Sequence, residues 1–169
     1  MYSIEKINET TFQQFMEIMG GIFEHSPWIA EQVEGLKPFH SLDHLHQEMV
    51  NIVKNSSLEQ KLALINAHPN LGDRVAMTAD SIEEQKGAGL QSLTPLEYNQ
   101  LITMNQRYME KFGFPFILAV RGKTKQQVFD SIGARIHHSK EVEFETALTE
   151  IYKIALLRLE EKVTDRTIL

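Results

Sequence analysis

Apolar residues recur at helical spacing along most of the chain, and cap-type residues stand at the head of most such stretches. Thr11 predicts the start of a first helix, with Phe12, Phe15, Ile18, Met19 and Phe23 on one face. Gly20-Gly21 weakens its middle. Glu24-His25-Ser26-Pro27-Trp28 breaks it, because a residue that precedes proline is pushed out of the helical region. Ser41 predicts a cap for a run carrying Leu42, Leu45, Met49 and Ile52. Ser57 predicts another, for Leu58, Leu62, Leu64 and Ile65. That helix ends near His68-Pro69, where Pro69 stops it and leaves His68 at its mouth.

After a loop rich in Gly, Asp and Asn, Ser81-Ile82-Glu83-Glu84 has the S-x-x-E form of a capping box. Thr94-Pro95-Leu96-Glu97 repeats it, with proline at the favoured first helical position. That helix carries Leu101, Ile102, Asn105, Tyr108, Met109 and Phe112. Thr124 and Ser139 predict two more caps. The last helix is long, with Phe144, Leu148, Ile151, Ala155 and Leu159 on its inner side. Only residues 114–120, an apolar run between Gly113 and Gly122, read otherwise, as a buried strand or an extended core segment. One strand makes no sheet, so the pattern predicts an all-α fold. The expected architecture is a single compact domain over residues 1–169, with several short helices and a long C-terminal one.

Composition narrows the function classes. Hydrophobic residues at 42% and charged ones at 24% exclude a disordered chain. With no cysteine, thiolate catalysis, disulfides and cysteine metal sites are excluded. A net charge of -6 gives no electrostatic reason to approach nucleic acid or an anionic membrane. No apolar run reaches the roughly 18–20 residues that span a bilayer. Met1 to Asn8 lacks the layout of a signal peptide, and Thr167-Ile168-Leu169 is not the serine-lysine-leucine peroxisomal address. The expectation is a cytoplasmic protein.

Some apparent motifs fall away. Gly122-Lys123-Thr124 ends like a phosphate-binding loop, but Ile117 stands where that loop needs glycine. His40 and His44 are four apart, yet no carboxylate completes a ligand set and there is no H-E-x-x-H, so no metal site is expected. Ser26 and Ser92 lack a G-x-S-x-G elbow.

Three features bear on chemistry. His68 at a helix end is an imidazole able to exchange a proton near neutral pH, or a residue satisfying the last carbonyls of its helix. Ser81, Glu84 and Gln85, spaced by three and four, share one face of a first helical turn, as a cap, as a ligand-facing group, or as both. Arg158 lies on the apolar stripe of the last helix, where it either snorkels at an edge or meets an anion.

Several segments together resemble one family. Ala67-His68-Pro69-Asn70-Leu71 is similar to the H-P-[DN]-L signature of the 2-oxo-4-hydroxy-4-carboxy-5-ureidoimidazoline (OHCU) decarboxylases. Ser81-Ile82-Glu83-Glu84-Gln85-Lys86-Gly87-Ala88-Gly89-Leu90 resembles their S-x-x-E-Q-x-x-A-G-L. Phe112-Gly113-Phe114-Pro115-Phe116-Ile117 and Arg121-Gly122-Lys123 resemble their F-G-F-P-F-[IV] and R-G-K. Glu24-His25-Ser26-Pro27-Trp28 and Ile154-Ala155-Leu156-Leu157-Arg158-Leu159 resemble their first and last helical motifs. The chain departs from the family at Asn70-Leu71-Gly72-Asp73-Arg74, in place of D-L-A-G-[KR], and at Leu156, where many members carry arginine.

The resemblance implies an all-helical homodimer without metal or organic cofactor that converts OHCU to (S)-allantoin, the last of three steps from urate. It assigns acid/base catalysis to His68 and matches Arg158 to the family's C-terminal arginine; Glu84 supporting His68 and Arg158 holding the anionic group complete the expected catalytic set. It assigns substrate contacts to Pro69, to Ser81, Ile82, Glu83, Glu84 and Gln85, and to Phe116, Ile117, Leu118, Ala119 and Val120. Relatives also occur fused to urate oxidase or to the preceding hydrolase, so coupling to urate oxidase is a further expectation. The rival readings are a non-catalytic helical interaction module and a hydrolase or lyase of another ureide.

Overall fold

The computed structural model describes residues 1–73 and 77–166; Arg74 of the departing loop and the C-terminal Thr167-Ile168-Leu169 lie outside them. The described residues carry nine α-helices and one two-residue strand pair, so the all-α expectation holds. They group into two compact units, Met1–Leu64 with Tyr152–Leu169, and Ile65–Ile151.

The first unit opens with β1 (Tyr2–Ser3), α1 (Ile4–Glu9), α2 (Phe12–Met19), α3 (Trp28–Glu34) and α4 (Leu42–Lys54). Thr11 caps α2 in a full capping box with Gln14, and Ser41 caps α4, both as the sequence predicts. α2 stops at Met19, with Gly20 as its C-cap, so Phe23 is core without belonging to the helix. Phe12, expected inward, is exposed. Two elements escape the sequence pattern. α1 and α3 have only six and seven residues, too few for a convincing periodicity. A parallel pairing of β1 with β2 (Val163–Thr164) joins Tyr2 to Val163 and Ser3 to Thr164. α3 packs on α2 and α4 around Phe15, Met19, Ile29, Val33, Leu45 and Met49, all buried.

α5 (Leu58–Asn66) begins in the first unit, where the Ser57 hydroxyl accepts from the Gln60 N–H at 3.1 Å. Leu58, expected on its inner face, is exposed. The second unit continues with α6 (Ala79–Gly87), α7 (Pro95–Phe112), α8 (Lys125–Arg135) and the first part of α9 (Lys140–Lys162). Thr94 and Thr124 cap α7 and α8 in complete capping boxes. The predicted cap at Ser81 is a correction. α6 starts a turn earlier, with Thr78 as the cap whose hydroxyl accepts from the Ser81 N–H at 3.3 Å. Ser81 is therefore inside the helix and buried. Thr78 and Ser81 are both cap-type residues, and burial, which local sequence does not show, separates them.

Residues 114–120 form no strand and run through the core, every one buried. Their aromatic residues join those of α7, with Tyr108 edge-on to Phe116 at 5.3 Å and Phe112 stacked on Phe114 at 6.0 Å.

Candidate active site

Pro69 cannot continue α5, and the chain has left the helix by His68, whose N–H still donates to the Ile65 carbonyl at 3.2 Å. His68 is only 9% exposed. The loop beyond it is tied down at two adjacent residues. The Asn105 carboxamide donates to the Leu71 carbonyl at 2.9 Å, and the Gly72 N–H donates to Gln85 Oε1 at 2.9 Å. Gly72 has φ +75°, a conformation that favours glycine, and a Cβ there would also press on the movable end of Leu101, 2.6 Å away at Cδ2. Asn105 belongs to no recognised motif. Its only signal in the sequence is a polar residue on an otherwise apolar helix stripe.

α6 presents its residues in two directions. Ser81 and Gln85 are buried and Glu84 is half-buried, whereas Ile82 and Glu83 are exposed. This is the grouping that spacings of three and four dictate. Glu84 Oε2 lies 3.3 Å from Arg121 Nη2, in a partly buried ion pair. Arg121 follows directly on residues 116–120, so α6 is linked to that segment by Glu84 and to the His68 loop by Gln85. Gln85 is engaged on both sides, since its Nε2 also lies 3.6 Å from Met77 Sδ.

Residues 116–120 have no ladder partner and are met by charged side chains instead. The Ile117 carbonyl accepts from Arg135 Nη1 at 2.6 Å, and the Ala119 N–H donates to Glu150 Oε1 at 3.2 Å. Arg135 lies over the Phe116 ring at 4.4 Å and pairs with Glu143, which is fully buried. Glu143 also accepts from the Tyr108 hydroxyl at 2.5 Å and faces His138 Nδ1 at 2.9 Å. Burial alone would raise the Glu143 carboxyl, but the bonds from Arg135, Tyr108 and His138 outweigh it and hold it below the usual carboxylate value. Burial and the neighbouring carboxylate push the Tyr108 hydroxyl well above its ordinary value.

Arg158 belongs to the first unit and is 1% exposed. The anion it meets is Glu24 of the same unit, with Nη2 3.0 Å from Oε2, while Nη1 donates to the Gly21 and Ile22 carbonyls at 3.2 and 3.4 Å. It thereby fixes the turn at Glu24-His25-Ser26, in which His25 adopts a positive φ of 46° and the Ser26 hydroxyl donates back to the Glu24 carbonyl at 2.9 Å. A partner 134 residues away is beyond any spacing argument. Among the described residues no group of three or more His, Asp or Glu side chains is arranged to hold a metal ion, and no helix is long and apolar enough to cross a membrane.

Comparison with known proteins agrees with the motifs. The family model described as OHCU decarboxylase matches residues 8–160. The chain belongs to the OHCU decarboxylase family. It is 42% identical to the 2-oxo-4-hydroxy-4-carboxy-5-ureidoimidazoline decarboxylase of Halalkalicoccus jeotgali, over 97% of this chain and 93% of that protein. It is 45% identical to the uric acid degradation bifunctional protein PucL of Bacillus subtilis, over 98% of this chain. The chain spans about a third of that relative's length, 34%. A crystal structure of (S)-allantoin synthase superposes with a TM-score of 0.78 at 35% identity, covering 95% of this chain and 54% of that one.

Proposed function

We propose that this family member converts OHCU to (S)-allantoin without a cofactor, with His68 as the acid/base. The observation that carries the reading is the fastening of the His68 loop to α6, the helix that also carries Glu84, itself paired with Arg121. One helix thus carries one catalytic candidate, Glu84, and fastens at Gly72 the loop that follows the other, which supports the reading. OHCU carries a carboxylate and a hydroxyl on one ring carbon, beside a ring C=N bond. As the carboxylate leaves as CO2, its bonding electrons form a C=C bond to the neighbouring carbon and the imine nitrogen takes up a proton. The resulting enol then loses its hydroxyl proton as the neighbouring carbon is protonated on one face, which gives the S product. The substrate supplies the electron sink, so the protein has to orient it and move protons.

In this scheme His68 transfers the proton, supported by Glu84, and Pro69, Ser81, Ile82, Glu83 and Gln85 contact the substrate. Gln85 contributes through whichever amide hydrogen the loop leaves over. Backbone groups of residues 116–120 read the ring amides. Arg158 is assigned to the anionic group by the family pattern. Its engagement with Glu24 gives it a second role, as the residue that holds the turn after α2. A cytoplasmic homodimer coupled to urate oxidase completes the proposal, on the family pattern and on the bifunctional relative. The test is incubation with freshly generated OHCU, following the absorbance and the optical sign of the allantoin. A rate no faster than the spontaneous one, with racemic product, would sink the reading and leave an interaction module or a different ureide as the explanation.

A further inference from the structure

We propose that Arg135, held by Glu143 and Tyr108, is a positioning residue that sets the backbone of residues 116–120 for the substrate; this rests on the reading above that the segment faces the substrate. A buried segment outside helix and sheet must find partners for its own N–H and C=O groups. Here the Ile117 carbonyl receives a guanidinium and the Ala119 N–H a carboxylate, at 2.6 and 3.2 Å. Bonds to charged groups are the stronger kind, and the planar guanidinium fork fixes direction as well as distance.

The fork is constrained on three sides. The Phe116 ring lies under it at 4.4 Å, and Glu143 Oε1 takes Nε at 2.9 Å with Nη2 2.8 Å away. Tyr108 from α7 and His138 from beyond α8 fix Glu143 in turn, at 2.5 and 2.9 Å. Tyr108 and His138 thus hold Glu143, Glu143 holds Arg135, and Arg135 meets the Ile117 carbonyl. A hydrophobic pair of similar volume would stabilise a core equally well, so core stability alone does not call for this ion pair. Setting the position of a backbone segment that no ladder registers does.

The test compares three variants with the parent chain, using freshly generated OHCU. The double variant Arg135→Leu/Glu143→Leu removes the ion pair without stranding a buried charge, so it should fold. Arg135→Lys keeps the charge beside Glu143 but loses the fork. Tyr108→Phe only loosens Glu143. The double variant and Arg135→Lys should raise KM about tenfold or more while kcat changes less, and Tyr108→Phe should do the same more weakly. Arg135→Lys should also melt close to the parent, which separates positioning from unfolding. Folded variants with parental KM overturn the inference. Should the double variant fail to fold, Arg135→Lys decides by the same criterion. A parent that does not accelerate OHCU loss overturns the functional reading itself and this inference with it. An active parent with unaffected variants overturns the positioning role alone.

Discussion

Gln85 separates loop fastening from substrate contact, because the structure gives it a job that its motif does not reveal. Its side chain is 5% exposed and its Oε1 accepts the Gly72 N–H at 2.9 Å. Gln85→Ala removes that acceptor, at a cost of about 1–3 kcal/mol for a donor left unsatisfied, and Gly72 is only half-buried, which favours the lower end. Loss of the buried methylene adds about 0.8 kcal/mol, for a total of about 2–3 kcal/mol. For a chain of this size that corresponds to a fall in Tm of roughly 4–10 °C. Gln85→Met keeps most of the volume and loses the acceptor, so it should fall by roughly two thirds as much. The released loop begins at His68, so kcat/KM should drop by about 10²-fold in both variants. Thermal melting by circular dichroism and initial rates on fresh OHCU measure the two effects side by side. A Gln85→Ala protein that melts within about 1 °C of the parent would refute the fastening argument. If its activity were still lost, Gln85 would act on substrate alone.

Three further outcomes are expected. His68→Asn should lose about 10²-fold or more in stereoselective decarboxylation with little change in melting, and near-parental turnover would remove His68 from the mechanism. Thr78→Ala should cost about 0.5–2 kcal/mol as a lost helix cap, read by urea unfolding, and an unchanged midpoint would mean that α6 does not depend on that cap. Glu143 has a folded pKa below its unfolded one, so its contribution is fully present above the unfolded value and is lost as pH falls through the folded one. The stability gap between the parent and Glu143→Gln should therefore be widest near neutrality and narrow from about pH 5 downward, and a gap constant between about pH 7 and pH 4 would contradict this.

What the sequence determined by itself was whatever depends on neighbours within a turn or two. The caps at Thr11, Thr94 and Thr124 each close within three residues, so they are legible without a fold. The same holds for the stop at Pro69 that leaves His68 just past a helix end, and for the grouping of Ser81, Glu84 and Gln85 on one face of α6. Motif order identified the family because short motifs lie on contiguous residues. Burial and distant pairing were left to the tertiary structure. Between Thr78 and Ser81, two residues of equal capping ability, burial of Ser81 makes the choice. Arg158 reads as a cation awaiting an anion, and folding brings Glu24 to it from 134 residues away. The partners of segment 114–120, Arg135 and Glu150, meet its backbone and leave no pattern in its side chains, so its sequence does not show them. Hydrogen bonds between distant residues follow from the path of the chain through space, and local periodicity carries no information about that path.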